Sequence, residues 1–147
     1  MSELTLGVFA DQVGEIMPMI AREFFRRQET GFSKMKITLP QVVILDLLHK
    51  RGESSMTDLA DILNVTTAAM TGIVDRLVRD GYVVRLYDPE DRRVVRAKLT
   101  AKGARTVTTI AVDRKRMIVE MFGKLSQDER EAYLRILTKI KEQMASE

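Results

Sequence analysis

The sequence predicts a mainly α-helical chain with one small antiparallel β-wing. Three observations predict it. Apolar residues recur at three- and four-residue intervals over most of the 147 positions. Between 57 and 80 a short helical pattern, a tight turn and a longer helical pattern follow one another. Two β-rich runs at 82–87 and 94–99 then flank a charged turn. Together they predict a winged helix-turn-helix over 38–100. Residues 1–37 and 101–147 are predicted to form a helical dimerisation region.

Composition limits the chemistry. Hydrophobic residues are 45% and charged residues 31%, ordinary for a soluble globular protein. Aromatics are only 5% and Trp is absent, so the core must be aliphatic and Met. Cysteine is absent, which excludes disulfides, thiol catalysis, thiol redox sensing and Cys-ligated zinc. With one His, no phosphate-cradling glycine loop and no spaced ligand set, neither an enzyme, a cofactor nor a metal is expected. The start MSELTLGVFADQ lacks a basic leader, so it does not read as a secretory signal. No apolar run approaches the ~20 residues of a membrane span. A cytoplasmic protein is the default expectation.

Net charge is +3, and its distribution says more than its size. Residues 40–75 carry two basic and five acidic side chains, whereas 76–99 carry seven basic and four acidic. The excess of positive charge includes the wing, where a phosphate backbone would be met.

Leu6, Phe9, Val13, Ile16, Met17, Ile20 and Phe24 mark a first helix from about 4 to 28. Pro18 predicts a kink, or a second helix with Pro18 in its first turn. Thr30-Gly31-Phe32-Ser33 reads as a break, with Phe25 and Phe32 half-buried. Pro40 opens the next helix after Thr38 or Leu39. Val42, Val43, Leu45, Leu47 and Leu48 make it apolar nearly all round, hence the most buried helix. Gly52 stops it, with basic residues in its last turn. Residues 53–56 form a link or a third small strand beside the wing. Thr57 is expected to cap the following helix, whose end falls at Asn64, a residue that tolerates the left-handed conformation.

Thr66 caps the longer helix, 67–80, and Gly81 ends it. Ala69, Ile73 and Leu77, four apart, are expected to face the core, with Met70 and Val74 flanking. Thr67, Ala68, Thr71 and Asp75 then lie outside. Small, hydroxyl-bearing side chains there let a helix enter a major groove about 12 Å wide, and Thr can bond a base edge or touch a thymine methyl. By themselves these positions are equally those of any exposed helix.

In the second strand Val95, Ala97 and Leu99 alternate with Val94, Arg96 and Lys98. The turn Asp88-Pro89-Glu90-Asp91-Arg92-Arg93 lies between the strands. An Asp beside paired arginines can hold a guanidinium in place and present it to a narrow, electronegative minor groove. A solvated hairpin loop would look the same. Thr100 caps a helix to about Gly123, and Ser126 with Glu129 forms a capping box for a last helix to about Ala145. Its Tyr133, Leu134, Ile136, Leu137, Ile140 and Met144 are expected to face inward.

The run TDLADILNVTTAAMTGIVDRLVRDGYVVR and the following DPEDRRVVRAKLT resemble the MarR family of winged-helix transcriptional regulators. In the second run Asp91, Arg93, Leu99 and Thr100 are similar to the family's wing signature. The resemblance extends over essentially the whole chain. It implies a homodimer on a pseudo-palindromic operator in double-stranded DNA, acting as a repressor, with release by a small and often phenolic ligand. It places Thr66, Thr67, Ala68, Thr71 and Arg76 near DNA. Arg93 becomes the wing-tip arginine of the minor groove, Asp91 its partner, and Arg92 a phosphate contact. Arg76 can instead support the wing through an acid. Met17, Phe24, Phe25, His49 and Met117 could line a ligand cleft, though core packing is the better explanation of each and no effector site is assigned. The remaining alternative is a winged-helix module that binds protein and not DNA; the basic tip argues against it.

Overall fold

A computed structural model describes residues 4–146, with the side chains of 28–33 outside the description. The chain divides after Asp113 into two compact units. The first holds α1 (Leu6–Met35), α2 (Leu39–Arg51), β1 (Ser54–Ser55), α3 (Met56–Ile62), α4 (Thr67–Arg79), β2 (Val83–Tyr87), β3 (Val95–Leu99) and the start of α5 (Ala101–Phe122). The second holds the rest of α5 and α6 (Gln127–Ala145). The architecture is a mainly helical winged helix with a three-stranded antiparallel sheet, as predicted.

α1 departs from expectation. It runs through Pro18 as one helix and through 30–33 without a break. A helical proline removes one bond to the carbonyl four residues back, here Gly14. Gly14 and Pro18 are both exposed, so the lost bond falls on a solvated side. The stop comes at Lys36, whose φ of 53° is left-handed. Phe25 is exposed and not half-buried, and the side chain of Phe32 lies outside the described residues.

α2 is the buried helix that its composition predicts, with Gln41, Val42, Ile44, Leu45 and Leu48 inside. Thr38 donates its amide to Oε1 of Gln41 at 2.8 Å, and the Gly52 amide closes the other end on Leu48 O at 2.9 Å. The core of the first unit joins Ile44, Leu45, Leu59, Met70, Val74, Leu77, Val83 and Ala97, all at 1% exposure or less, to Val107 and Ile110 of α5. Burying each large side chain of this set contributes about 1.5–3 kcal/mol. Tyr82 is its one aromatic member among the described residues, in keeping with the aromatic-poor composition.

The sheet order is β1-β3-β2. Ser54 and Ser55 pair with Ala97 and Arg96, so the 53–56 link does supply the third strand. β2 and β3 pair from Val83 with Leu99 to Tyr87 with Val95. In the second unit the rings of Phe122 and Tyr133 stack at 5.4 Å, and Ser126 and Glu129 form the predicted capping box. α6 is a correction: none of its residues is buried, and Tyr133, Leu134, Ile136, Leu137, Ile140 and Met144 are all exposed. No helix among the described residues is long and apolar enough to cross a membrane.

Candidate nucleic-acid interface

The helix-turn-helix is built from local signals. The hydroxyl of Ser55 accepts the Asp58 amide at 3.1 Å, so Ser55, and not Thr57, caps α3. The cap thus falls two residues before the expected Thr57, and the helix starts at Met56, which is buried. Asn64 turns the chain with φ 50°, and the Val65 amide closes on Ala60 O at 3.0 Å. Thr66 then caps α4, its hydroxyl accepting the Ala69 amide at 3.1 Å.

The phase of α4 differs from expectation. Met70, Val74 and Leu77 are fully buried, whereas Ala69 is exposed and Ile73 only half-buried. A 4-then-3 spacing follows the 3.6-residue repeat more closely than an unbroken run of fours. The outer face is unaffected: Thr67, Ala68, Thr71, Asp75 and Arg76 are all exposed, as is Thr66. Thr71 donates its hydroxyl to Thr67 O at 2.9 Å. Its proton is thus engaged, while its methyl group and oxygen lone pairs are left for a partner.

The wing tip is a closed loop. Asp88 Oδ1 accepts the amides of Glu90 and Asp91 at 2.8 and 3.3 Å. The Asp88 amide reaches Val94 O at 3.1 Å, and the Val94 amide reaches Asp91 O at 3.0 Å. Within it Asp91 holds Arg93 through three bonds: Nε and the backbone amide on Oδ1 at 3.0 and 3.1 Å, and Nη2 on Oδ2 at 3.3 Å. The Arg93 guanidinium beside it, and then the Arg93 amide, hold the Asp91 carboxyl below its ordinary value of 3.8. The Arg93 side chain remains 91% exposed, so it is oriented without being buried. Arg92 is exposed next to it.

Beyond the expected cap of Thr100 on α5, three connections escaped the sequence. The Thr100 hydroxyl donates to Gly81 O at 2.6 Å and accepts the Gly103 amide at 3.0 Å, tying the end of α4, the foot of the wing and the first turn of α5 together. Lys102 adds a bond to Asp80 O at 2.6 Å and lies 4.5 Å over the Tyr82 ring. Gly103 is required there, because a Cβ would meet Tyr82 O at 2.1 Å. Finally, Nη2 of Arg85 on β2 donates to Oδ1 of Asp75 on α4. The available signal was an arginine in a strand slot that faces the core.

The ligand-cleft candidates scatter in environment. Met17, Phe25 and His49 are exposed, Phe24 is half-buried edge-on to Phe25 at 6.3 Å, and Met117 is buried in the second unit.

Comparisons with known proteins point to one family. A family model described as the MarR family matches residues 37–95. YsmB of Bacillus subtilis (strain 168), an uncharacterized HTH-type transcriptional regulator, is 30% identical over 108 residues, 74% of this chain and 74% of its own. The structure of a MarR family protein from Bacillus stearothermophilus is similar with a TM-score of 0.85 at 26% identity, over 96% of this chain and 99% of that one. BpsR of Bordetella bronchiseptica, reported for the mechanism by which 6-hydroxynicotinic acid regulates its DNA binding, has a TM-score of 0.71 at 26% identity, over 90% and 95%.

Proposed function

The chain belongs to the MarR family of DNA-binding transcriptional regulators, and from that premise we propose that it is a homodimeric repressor released from a pseudo-palindromic operator by a small hydroxylated aromatic ligand. The observation that carries the reading is the Asp91–Arg93 clamp, which presents a guanidinium at the tip of a wing whose β2 strand packs on a helix with an exposed face of small side chains. In this reading α4 enters the major groove, with Thr66, Thr67, Ala68, Thr71 and Arg76 toward the DNA. Arg93 enters the adjacent minor groove and Arg92 meets phosphate. Phosphate contacts supply most of the affinity and make it salt-dependent, while base contacts choose the sequence.

The dimer rests on apolar surface. α1 exposes Leu6, Met17 and Met19, and α6 exposes Leu134, Ile136 and Met144. Monomers rarely leave such stripes uncovered. A second copy covers them by two-fold symmetry, which sets two recognition helices about 34 Å apart on one side of the duplex. The ligand class follows from BpsR and its hydroxylated ring. Such a ligand acts by binding one spacing of the two recognition helices better than another.

Selection of duplexes from a random library, followed by gel shifts across a potassium chloride series, tests the reading. The expected result is an inverted repeat bound by a dimer, with affinity falling steeply in salt and falling again when hydroxybenzoates or hydroxynicotinates are added. A winged helix that docks protein alone would show no salt-sensitive retention of any duplex.

A further inference from the structure

The structure assigns a positioning role to the ion pair between Asp75 and Arg85, which sets the angle between recognition helix and wing; the inference rests on the DNA-binding reading above and deepens it. Asp75 follows Thr71 by four residues and Thr67 by eight, so the three share one face of α4. Its side chain is 57% exposed. An unpaired carboxylate on that face would repel the phosphates that the face is meant to approach.

Arg85 explains why the acid is tolerated. Its register partner is Ala97, which is fully buried, so Arg85 leaves the sheet on the core-facing side. Only 22% of its side chain is exposed. Arginine seldom occupies such a slot without a partner. Its Nη2 donates to Asp75 Oδ1, across from β2 to α4. β2 ends two residues later at Tyr87 and leads directly to the tip that carries Arg93. The pair thus fixes the offset between Thr71 on the helix and Arg93 on the wing, the two points meant for neighbouring grooves. With its Asp75 end open to water the pair adds little to folding stability, so its effect falls on geometry.

A double-mutant cycle on the full chain tests this. Asp75→Ala, Arg85→Ala and the double variant are titrated against the selected operator and an unrelated duplex of equal length, across a salt series, beside thermal melts. Each single variant is expected to lose about tenfold in operator affinity, and the double variant no more than the weaker single. Binding to the unrelated duplex, its salt slope and the melts stay as in the parent. Loss on removing Asp75 is the telling outcome, since electrostatics alone predicts a gain. Tighter binding by Asp75→Ala, or a salt slope lowered by about one in Arg85→Ala, would overturn the inference and make Arg85 a phosphate contact. Additive losses would overturn it too. Asp75→Asn and Arg85→Gln, which nearly keep volume, repeat the cycle where an alanine variant fails to fold. If the parent chain retains no duplex at all, the DNA-binding reading itself falls, which is distinguishable from every other result.

Discussion

α4 and α6 are both amphipathic, and they present opposite faces to solvent. α4 turns Met70, Val74 and Leu77 into the core and leaves small and polar side chains outside. α6 buries nothing and shows Leu134, Ile136, Leu137 and Ile140 to water. The difference teaches what an apolar stripe does and does not specify. Periodicity states that a face seeks cover, not what covers it. α4 finds its cover within the first unit, so its free face suits a hydrated polyanion. α6 stacks Tyr133 on Phe122 but has no buried residue, so its free face suits another apolar surface.

Substitution on the two stripes should break or sharpen this contrast. Leu77→Ala is expected to lower the unfolding free energy by about 3 kcal/mol in a urea titration, through lost burial and a cavity. Ile140→Ala should leave the helical content intact and raise the dimer dissociation constant about tenfold, read by sedimentation. Equal losses of stability in both, with assembly unchanged, would erase the distinction.

The polar side of the comparison comes next in size. Arg93→Ala should weaken operator binding by about 2 kcal/mol, roughly thirtyfold, with the dimer intact in sedimentation. Parent-like affinity would remove the wing from the interface. Thr71→Ala should alter the selected-site profile several-fold at one or two positions while nonspecific affinity holds. Because the Thr71 proton is engaged by Thr67 O, Thr71→Val should keep the parent profile wherever the outward methyl is what reads the base.

The smallest effect concerns pH. The Asp91 carboxyl lies below its ordinary 3.8 in the folded chain, held there by Arg93. A lowered folded value means that the clamp's contribution is complete above the unfolded value and is lost as pH falls through the folded one. The Arg93 Nε–H resonance should therefore stay in its bonded position from pH 8 to 5 and move only below the ordinary carboxylate range. A midpoint near neutrality would contradict the clamp.

Much of the fold was legible because its signals are local. Thr66, Thr100, Ser126, Gly52, Asn64 and Gly81 each act within a few residues, and the structure places each as a cap or a turn. The alternation of Val95, Ala97 and Leu99 marked the strand in the same way, and the structure pairs those residues with Tyr87, Arg85 and Val83. What was not legible depends on partners distant in the chain. The Asp75–Arg85 pair spans ten residues and needs the helix-to-sheet packing to exist before it can be seen. The cap at Ser55 is decided by burial of Met56, and the continuity of α1 at Pro18 by exposure of one side of that helix. The outward stripe of α6 reversed an inward expectation, since amphipathicity carries no sign for inside.

The strand order β1-β3-β2 puts the last-made strand in the middle. During synthesis the segments of α2, α3 and α4 emerge before β3, and until then Ser54-Ser55 and Val83–Tyr87 have no strand to pair with. Both edges are satisfied in one step, when Val95–Leu99 clears the ribosome. A nascent chain halted before that point carries the residues of the recognition helix but not the β3 and α5 side chains that share its core, and it lacks the half of the reading device that Arg93 completes.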